Sequence, residues 1–364
     1  MESNPFVFFK YLSLKKLWNI LLVALSYGFS LILKRPIVRG QPFFLHIETT
    51  NLCNLKCIEC PTGMGILTRP RGVLTFEQFQ KVFAPLKNRL IYLVLYFQGE
   101  PFLNPDLLRM ISLAQKNRVY TMVSTNGHYL QDEEKLTELI TSGLGTLVVS
   151  LDGVSQQTYQ KYRQNGDLSK VLDGLRRLLQ MRRKLQSRYP KIYLQFLVMR
   201  HNEHEIPILK RLANDLGVDR VLIKTAQIYD FDQAEEILPQ NPKYRRYEQV
   251  EGRYQLKGRM PNRCPALWSD SLITWDGRIL PCCFDKDAEH EMGFLDSELP
   301  DLKDSSTDLS SREERLNAFF RNKFLSIWHG QAYQNYRRQL LQERKAIEIC
   351  RNCSVGVKIF VEKG

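Results

Sequence analysis

Three cysteines stand close together near the start of the chain, in the stretch CNLKCIEC that runs from Cys53 to Cys60. They are separated by three residues and then by two, with Cys57 between the outer pair. A structural zinc site takes four ligands, and neither a fourth cysteine nor a histidine lies beside these three. Three thiolates on a four-iron cluster leave one iron without a protein ligand. The spacing therefore predicts an iron-sulfur cluster with an open coordination position, at which a substrate or cofactor binds.

A second group of cysteines lies near the end of the chain. It comprises Cys264, Cys282, Cys283, Cys350 and Cys353. The two groups make eight cysteines in 364 residues, which is too sparse for the disulfide framework of a small secreted domain. Metal ligation in a reducing compartment is the better interpretation, so we expect a cytoplasmic protein.

Short apolar runs alternate with amphipathic stretches between residues 40 and 225. Each run is rich in Val, Ile, Leu and aromatic residues over the length of a strand, as expected for strands buried on both faces of a parallel sheet. The stretches between them have helical spacing. The predicted strands cover residues 43–50, 90–100, 119–127, 145–153, 191–199 and 218–225. Six strand-helix units predict an α/β fold with a partial, TIM-like (β/α)6 barrel.

Polar residues and glycines gather where these apolar runs end. Such ends include Glu48–Thr49, Gln98–Glu100, Thr125–Gly127 and Ser150–Gly153. In parallel α/β folds the functional residues lie at the carboxyl ends of the strands. We therefore expect all of these ends to face one site.

The CNLKCIEC stretch resembles the C-x3-C-x2-C signature of the radical S-adenosylmethionine (radical SAM) enzymes. The longer IETTNLCNLKC resembles the branch of that superfamily with a second, C-terminal cluster domain of the SPASM or twitch type. The resemblance implies that Cys53, Cys57 and Cys60 are the catalytic cysteines, which hold a 4Fe-4S cluster whose fourth iron binds S-adenosylmethionine. In that family, electron transfer from the cluster cleaves the sulfonium to methionine and a 5'-deoxyadenosyl radical, which abstracts a hydrogen atom from substrate. The resemblance covers about residues 42–355.

Two segments resemble those that bind the methionine part of the cofactor in this family. FQGEP resembles the family's Gly-Gly-Glu segment, with Gln98 in place of the first glycine. This implies that Gly99 lets the backbone approach the cofactor and that Glu100 accepts a hydrogen bond from the methionine ammonium. The Tyr-Arg pair at 162–163 implies that Arg163 binds the cofactor carboxylate, for which a guanidinium fork is well shaped.

Two more segments, STNG and SLDG, resemble the ends of the family's third and fourth strands. They imply that Thr125 and Ser150 contact the ribose or carboxylate of S-adenosylmethionine. Gln195, in the fifth predicted strand, is expected to be a further polar contact with this cofactor.

The stretch CPALWSDSLITWDGRILPCCFD resembles the opening of a SPASM domain, and CRNC resembles its end. The complete domain binds two auxiliary clusters with seven cysteines, whereas this region has five. The resemblance implies one auxiliary 4Fe-4S cluster, held by Cys264, Cys282, Cys350 and Cys353. Cys283 is then spare, although the choice between the two adjacent thiols stays open, as does a zinc ribbon on the same four thiols. With four protein ligands the cluster is an electron conduit or a scaffold, and with an open position it binds substrate.

The stretch from residue 17 to 33 is uncharged and apolar, and basic residues lie on both of its flanks. It is shorter than the run of about 20 apolar residues that a membrane span needs. Three interpretations stay open: a helix packed on the domain or capping a barrel end, a helix lying on an anionic membrane surface, and a true span. The 52 Lys and Arg against 39 Asp and Glu, a formal net charge of +13, favour an acidic partner such as a phosphate-bearing substrate, nucleic acid or a membrane.

These observations predict an N-terminal helix in residues 1–40, a radical SAM barrel in 41–235, a linker in 236–262 and a SPASM or twitch-type domain in 263–364. We predict an oxidoreductase-like enzyme whose unidentified substrate is a peptide, a carbohydrate or other alcohol, or a lipid-linked molecule. It requires an external one-electron reductant such as flavodoxin or ferredoxin, and any membrane contact through residues 1–38 is peripheral. Nucleic acid is not favoured, because no basic stripe with interleaved aromatic residues stands out. The alternative is a non-catalytic iron-sulfur or zinc protein that transfers electrons or serves as a scaffold.

Overall fold

The computed structural model describes residues 5–295 and 309–355. Its strands are β1 Phe44–Ile47, β2 Tyr92–Val94, β3 Tyr120–Thr125, β4 Thr146–Ser150, β5 Lys191–Val198, β6 Arg220–Thr225, β7 Tyr247–Val250, β8 Arg253–Leu256, β9 Asp270–Ile273, β10 Arg278–Leu280 and β11 Gly293–Phe294. Its α-helices are α1 Leu14–Leu33, α2 Pro61–Met64, α3 Phe76–Phe83, α4 Leu107–Lys116, α5 Glu133–Thr141, α6 Gln156–Tyr162, α7 Leu168–Lys184, α8 Ile206–Leu216, α9 Ala234–Ile237, α10 Ala266–Ser269, α11 Leu309–Trp328, α12 Gln331–Glu343 and α13 Glu348–Arg351.

The first six strands lie side by side in chain order, and each pairs with the next in parallel. Helices connect them across the outer face of the sheet. All five residues of β4 are buried, because the helices cover one face of the strand and the barrel interior covers the other. The predicted α/β fold with a partial (β/α)6 barrel is confirmed, and each of the six predicted strands is present.

The helices begin at residues that can cap them. Thr75 and Gln78 form a capping box at the start of α3, in which each side chain bonds to the other residue's backbone N–H. The Asp132 side chain accepts hydrogen bonds from two backbone amides at the start of α5. Gly143, with φ of 84°, then turns the chain from the end of α5 toward β4. These local signals set where α3 and α5 begin and where α5 ends.

The interior of the barrel is apolar at the amino-terminal ends of the strands. Tyr92, Tyr120 and Tyr193 point inward from three of the strands and pack in one cluster. The rings of Phe8 and Tyr11, which precede α1, close this end against Tyr120, with ring centroids 5.3 and 5.4 Å away. This packing closes the barrel interior at its amino-terminal end and leaves it open at the opposite end, where the strands finish.

The C-terminal region extends the sheet of the barrel. Strand β9 pairs in parallel with β1, while β10 and β11 continue the sheet in antiparallel fashion, so that one sheet has the order β11-β10-β9-β1-β2-β3-β4-β5-β6. The segment 236–262, expected to be a linker, contains the hairpin β7–β8. The predicted second domain thus reaches the first strand of the barrel, and its loops can approach the ends of the barrel strands.

Helix α1 lies at the closed end of the barrel. The Lys16 ammonium donates to the Arg118 carbonyl, 2.6 Å away, two residues before β3 begins. Trp268, two residues before β9, donates to the Ile37 carbonyl that follows α1, at 2.9 Å. Within the described ranges α1 is also the one helix long and apolar enough to cross a membrane, with a mean hydropathy of 1.6. Its packing against the barrel agrees with the interpretation of this segment as a helix that packs on the domain. That packing does not account for the residues on its outer face.

Candidate functional site

A cavity of about 440 Å³ opens at the carboxyl ends of the barrel strands. It is lined by the cysteine loop, by the ends of the strands and by two segments from the C-terminal part of the chain. The structure brings together on its wall every residue assigned to the first cluster and to S-adenosylmethionine, namely Cys53, Cys57, Cys60, Gly99, Glu100, Thr125, Ser150, Arg163 and Gln195. These side chains therefore share one enclosed space.

The expectation that all polar strand ends face this cavity is wrong for the end of β1. Glu48 and Thr49 do not line it. Glu48 is fully buried and forms a bidentate ion pair with Arg69, with both N–O distances at 2.8 Å. This carboxylate therefore has a structural role in a buried ion pair and does not face the cavity.

The cysteine loop is fixed by backbone hydrogen bonds to neighbouring strand and helix ends. The amides of Lys56 and Ile58 donate to the carbonyls of Gln164 and Tyr162, at 3.1 and 3.2 Å. The Asn126 side chain donates to Asn54 at 2.7 Å. Because the end of α6 and the turn after β3 anchor the loop, its three thiols are held in place by the barrel.

The three thiols have the donor chemistry that a cluster needs. None is in a disulfide, and burial raises the pKa of Cys57 to about 12, so a nearby cationic metal centre is required to stabilise its thiolate. In the described part of the chain no three His, Cys, Asp or Glu side chains are close enough to hold a single metal ion. A four-iron cluster binds each thiolate through a different iron and so accepts a wider separation. The donor set fits such a cluster better than a mononuclear site.

Gly99 is placed where no side chain is tolerated. Its φ of 76° lies in the left-handed region, and a Cβ there would lie 2.5 Å from the Leu52 carbonyl oxygen. The next amide, of Glu100, donates to this same carbonyl at 2.7 Å. The end of β2 is thus in direct contact with the start of the cysteine loop.

We expect Gly99→Ala to displace the cysteine loop and to lower iron incorporation at the first cluster. The added methyl group meets backbone atoms, which cannot move aside as a flexible side chain can. Gly217→Ala is a matched control, because Gly217 also has a positive φ but has open space at its Cβ position. Iron per chain after anaerobic reconstitution measures the difference. Equal iron content in the two variants would contradict the role given to Gly99.

Glu100 is a buried carboxylate with three hydrogen-bond donors around it. It accepts from the Thr125 hydroxyl at 2.8 Å, and from the amides of Asn126 and Phe102 at 2.7 and 3.2 Å. Burial raises its pKa to about 7 despite these bonds. Thr125 therefore donates its hydroxyl proton to Glu100, whereas the family resemblance implies a contact with cofactor.

Arg163 is paired inside the protein. Its guanidinium lies 2.6 Å from the Asp152 carboxylate, which is fully buried and also accepts from the Leu197 amide at 2.7 Å. The remaining nitrogen, Nη1, lies 3.9 Å from the Cys57 sulfur. The ion pair thus places one edge of the Arg163 guanidinium beside the thiols, and the Asp152 carboxylate balances its charge.

The two remaining predicted contacts, Ser150 and Gln195, are neighbours on adjacent strands. They face each other in the parallel register of β4 and β5, and both line the cavity. Their position on the inward face of these strands follows from the alternation of side chains along a strand.

Sequence reasoning missed a set of cations that line the same cavity. Lys224, Arg246 and Lys286 all line the cavity, and none forms an ion pair within the residues that the structure describes. The Lys286 ammonium lies 4.3 Å from the centre of the Tyr229 ring, and burial lowers its pKa to about 8. The Nε of Arg246 is buried and has no hydrogen-bond partner among the described residues. Of the three, only Lys224 could have been found from the sequence, because the alternation of side chains along β6 places it on the inward face. Arg246 and Lys286 come from loops, which have no such periodicity.

The other four predicted ligands lie in the C-terminal part of the chain, outside this cavity. The Cys353 thiol is close enough to those of Cys264, Cys282 and Cys350 to influence their pKa values. The buried Arg344 guanidinium joins the segments that carry them, because it donates to the carbonyls of Arg263 and Val355 at 3.1 and 2.8 Å. This cation lies beside the thiols of Cys264, Cys350 and Cys353 and would stabilise their anionic form.

The two adjacent cysteines point in different directions. Cys282 packs against the main hydrophobic core, to which Cys264 and Cys350 belong, and it interacts electrostatically with Cys264 and Cys353. Cys283 instead lines the cavity that contains the first three thiols. This division supports Cys282 as the auxiliary ligand and leaves Cys283 facing the main cavity.

Comparison with known proteins identifies the two parts of the chain. A family model of the radical SAM superfamily matches residues 47–213, and a model of an iron-sulfur cluster-binding (SPASM) domain matches residues 264–354. The PqqA peptide cyclase of Gluconobacter oxydans is 26% identical over 260 residues, which cover 67% of this chain and 70% of that protein. The PqqA peptide cyclase of Bradyrhizobium diazoefficiens is 24% identical over 262 residues, 67% of each chain.

Solved structures share the fold at low sequence identity. Streptococcus suis SuiB bound to S-adenosylmethionine superposes with a TM-score of 0.55 and 15% identity, covering 87% of this chain and 73% of SuiB. The structure of anSMEcpe with bound AdoMet gives a TM-score of 0.51 and 12% identity, covering 86% and 88%. With the cysteine spacing, the barrel and both family models in agreement, the chain belongs to the radical SAM superfamily, in the branch of enzymes that carry a C-terminal SPASM iron-sulfur domain.

Proposed function

We propose that this enzyme binds its first 4Fe-4S cluster through Cys53, Cys57 and Cys60 and abstracts hydrogen from a peptide that carries an acidic side chain. The observation that carries this proposal is the meeting of three free thiols with Glu100 and Arg163 in one cavity at the carboxyl ends of the strands. When bound, the cluster supplies the electron that splits S-adenosylmethionine into methionine and the 5'-deoxyadenosyl radical. The proposed division of the chain is an N-terminal helix in 1–40, a barrel in 41–235, a connecting segment in 236–262 and the SPASM-type domain in 263–364.

In this proposal the barrel residues hold S-adenosylmethionine by its polar groups. The Glu100 carboxylate accepts from the methionine ammonium, and it is oriented for this by the bonds from Thr125 and Asn126. Thr125 is therefore a positioning residue. Ser150 and Gln195 supply the polar contacts to the ribose or carboxylate, and Gly99 gives the backbone room to approach.

We assign one auxiliary 4Fe-4S cluster to Cys264, Cys282, Cys350 and Cys353. Support comes from the proximity of the Cys353 thiol to the other three, from the enclosed Arg344 and from the position of Cys283 on the wall of the main cavity. The zinc alternative is less favoured, because no group of these residues within the described ranges is spaced for a single ion. Four protein ligands leave no open position, so this cluster would conduct electrons.

A peptide substrate is supported from two directions. Two relatives are named PqqA peptide cyclases, and SuiB has been solved bound to its precursor peptide SuiA, with a TM-score of 0.55 to this chain. The chain itself adds the cations Lys224, Arg246 and Lys286, which line the cavity and form no close ion pair in the described structure. The Glu59 carboxylate lines the same cavity and interacts electrostatically with Lys286. Partly desolvated cations are costly unless an anion meets them, so the bound substrate should provide a carboxylate there.

Lys286→Met should weaken the response to an acidic peptide. Loss of one charge-assisted bond is worth about tenfold in the peptide concentration needed for half-maximal response. The probes are two synthetic pentapeptides that differ only by a central Glu or Gln, and the readout is the rate of 5'-deoxyadenosine formation. Lys116→Met, at the exposed end of α4, is the control with the same change of charge. An identical response to both peptides in the unmodified enzyme would remove the argument for an acidic substrate.

The electron for the first cluster comes from an external one-electron reductant such as flavodoxin or ferredoxin in this proposal. Cytoplasmic residence and a peripheral membrane contact through residues 1–38 belong to it as well. The non-catalytic alternative is not retained, because the family to which the chain belongs consists of enzymes and because Glu100 is oriented toward the cavity beside the thiols.

The test is an anaerobic reconstitution with iron and sulfide, followed by reduction with dithionite and addition of S-adenosylmethionine. Two clusters correspond to about eight irons per chain, and 5'-deoxyadenosine should form. About four irons without 5'-deoxyadenosine, or zinc in place of iron, would overturn the proposal in favour of an electron carrier or scaffold.

A further inference from the structure

Helix α1 is inverted relative to an ordinary surface helix, since its polar side faces the protein and its apolar side faces solvent. Surface helices of globular proteins bury the apolar side. In α1 the buried residues are Lys16, Asn19, Val23, Ser26 and Ser30. We propose that the outer face of α1 is a docking surface for an anionic lipid bilayer, on which the helix lies in the plane of the membrane.

The polar side of α1 is occupied by specific hydrogen bonds to the segment that follows the helix. Asn19 exchanges two bonds with the Gln41 backbone, each at 2.9 Å. Ser26 accepts from the Arg39 amide at 3.0 Å, and Ser30 accepts from the Ile37 amide at 2.8 Å. Residues 37–41 therefore run back along the helix and hold it to the barrel by its polar side.

The outer side of α1 is a continuous apolar stripe. Its large residues are between 46% and 85% exposed: Leu14, Leu17, Trp18, Leu21, Leu25, Phe29, Ile32 and Leu33. Their spacing of three and four residues places them on one face along the length of the helix. An exposed apolar surface of this extent on an otherwise ordinary protein marks a contact with an apolar phase or partner.

The charges around the stripe favour an anionic lipid surface as its binding partner. Lys15 lies near the start of the helix, and Lys34 and Arg35 follow its end, all three exposed. No acidic residue occurs from Ser3 to Ile47. Each basic residue near an anionic membrane adds to the attraction, and Trp and Phe side chains suit the interfacial region of the bilayer.

The same contacts argue against a helix that crosses the bilayer. Leaving the protein would expose Lys16, Asn19, Ser26 and Ser30 to hydrocarbon and break the bonds to residues 37–41. An in-plane position keeps these bonds and immerses only the outer stripe. The interfacial interpretation is therefore the one that agrees with both faces of the helix.

The position of α1 also sets the orientation of the enzyme on the membrane. The helix contacts the barrel beside Arg118 and Trp268, which precede β3 and β9, so it lies at the closed end. The cavity opens at the opposite end. Docking would thus point the cavity away from the lipid, which favours a substrate that arrives from the aqueous phase over a lipid-linked one.

Co-sedimentation of the full-length reconstituted protein with vesicles tests this docking surface. We expect binding to vesicles that contain phosphatidylglycerol and much weaker binding to pure phosphatidylcholine. Leu21→Asp combined with Leu25→Asp should reduce the partition coefficient by about tenfold or more, because two immersed side chains become charged. Ile208→Asp combined with Val250→Asp is the matched control, with the same change of charge at exposed apolar residues elsewhere. This control should bind like the unmodified protein.

Three results would overturn the proposal. The first is equal partition of the two double variants. The second is that the protein binds no vesicles and sediments as a dimer, and that Leu21→Asp combined with Leu25→Asp dissociates this dimer. The stripe would then bind a second copy of the chain. The third is retention of the protein in vesicles after alkaline carbonate extraction, which indicates a span. Unchanged iron content and urea midpoint in both variants would show that they are folded.

Discussion

Cys57→Ala should abolish 5'-deoxyadenosine formation and remove about four irons per chain, because a cluster held by three thiolates does not survive the loss of one. Cys57 is the most buried of the three thiols in the loop and lies 3.9 Å from the Arg163 guanidinium. The auxiliary thiols lie outside this cavity, so their iron should remain. Anaerobic iron analysis and a chromatographic assay for 5'-deoxyadenosine measure both effects on the same sample.

Cys283→Ala is the matched control for the iron count, since it removes a thiol that lines the same cavity. We expect it to keep all of the iron. If Cys283→Ala instead lost as much iron as Cys282→Ala, the division between an auxiliary ligand and a cavity residue would be wrong. If Cys57→Ala kept its iron and still formed 5'-deoxyadenosine, the first cluster would have to be placed elsewhere.

The barrel could be predicted from the sequence because its strands are buried on both faces. A strand such as β4 has no polar residue before its last position other than Thr146, so its limits are visible as an apolar run. Strands β9 to β11 were not predicted, since they are short and since the pairing of β9 with β1, which attaches them to the barrel, joins residues that are more than two hundred positions apart. Pairing over such distances is decided by tertiary packing, which leaves no periodic signal in the chain.

The candidate site was predictable where chemistry restricts the residue type. Cysteine spacing and the family motifs located nine of the residues that line the main cavity. What these motifs could not show is how side chains pair inside the protein: Thr125 donates to Glu100, and Arg163 binds Asp152. Arg246 and Lys286 come from loops without regular spacing, so their arrival at the cavity depends on the docking of the C-terminal region.

That docking depends on a second buried ion pair, which lies behind the cysteine loop. The Arg69 guanidinium binds both oxygens of Glu48 at 2.8 Å, and its Nε donates to the Lys286 carbonyl at 2.6 Å. The side chains of Arg69 and Glu48 are 2% and 0% exposed. One residue thus joins the end of β1 to the C-terminal segment that carries a cavity cation.

Arg69→Met should lower the free energy of unfolding by about 3–5 kcal/mol, because it leaves the Glu48 carboxylate buried without a partner. The urea midpoint of the holoenzyme, followed anaerobically by circular dichroism, measures this loss. Combining Arg69→Met with Glu48→Leu should recover much of the stability, since the uncompensated charge is removed along with its partner.

The control is Arg176→Met, which removes an exposed ion pair to Asp173 whose side chains are 50% and 56% accessible. Solvent screens such a pair, so we expect a change of about 0.5 kcal/mol or less. Equal midpoints for Arg69→Met and Arg176→Met would mean that Glu48 finds another partner or becomes protonated at little cost. A double variant as unstable as Arg69→Met alone would instead place the stabilisation in the bond from Arg69 to the Lys286 carbonyl, and hence in the attachment of the C-terminal region to the barrel.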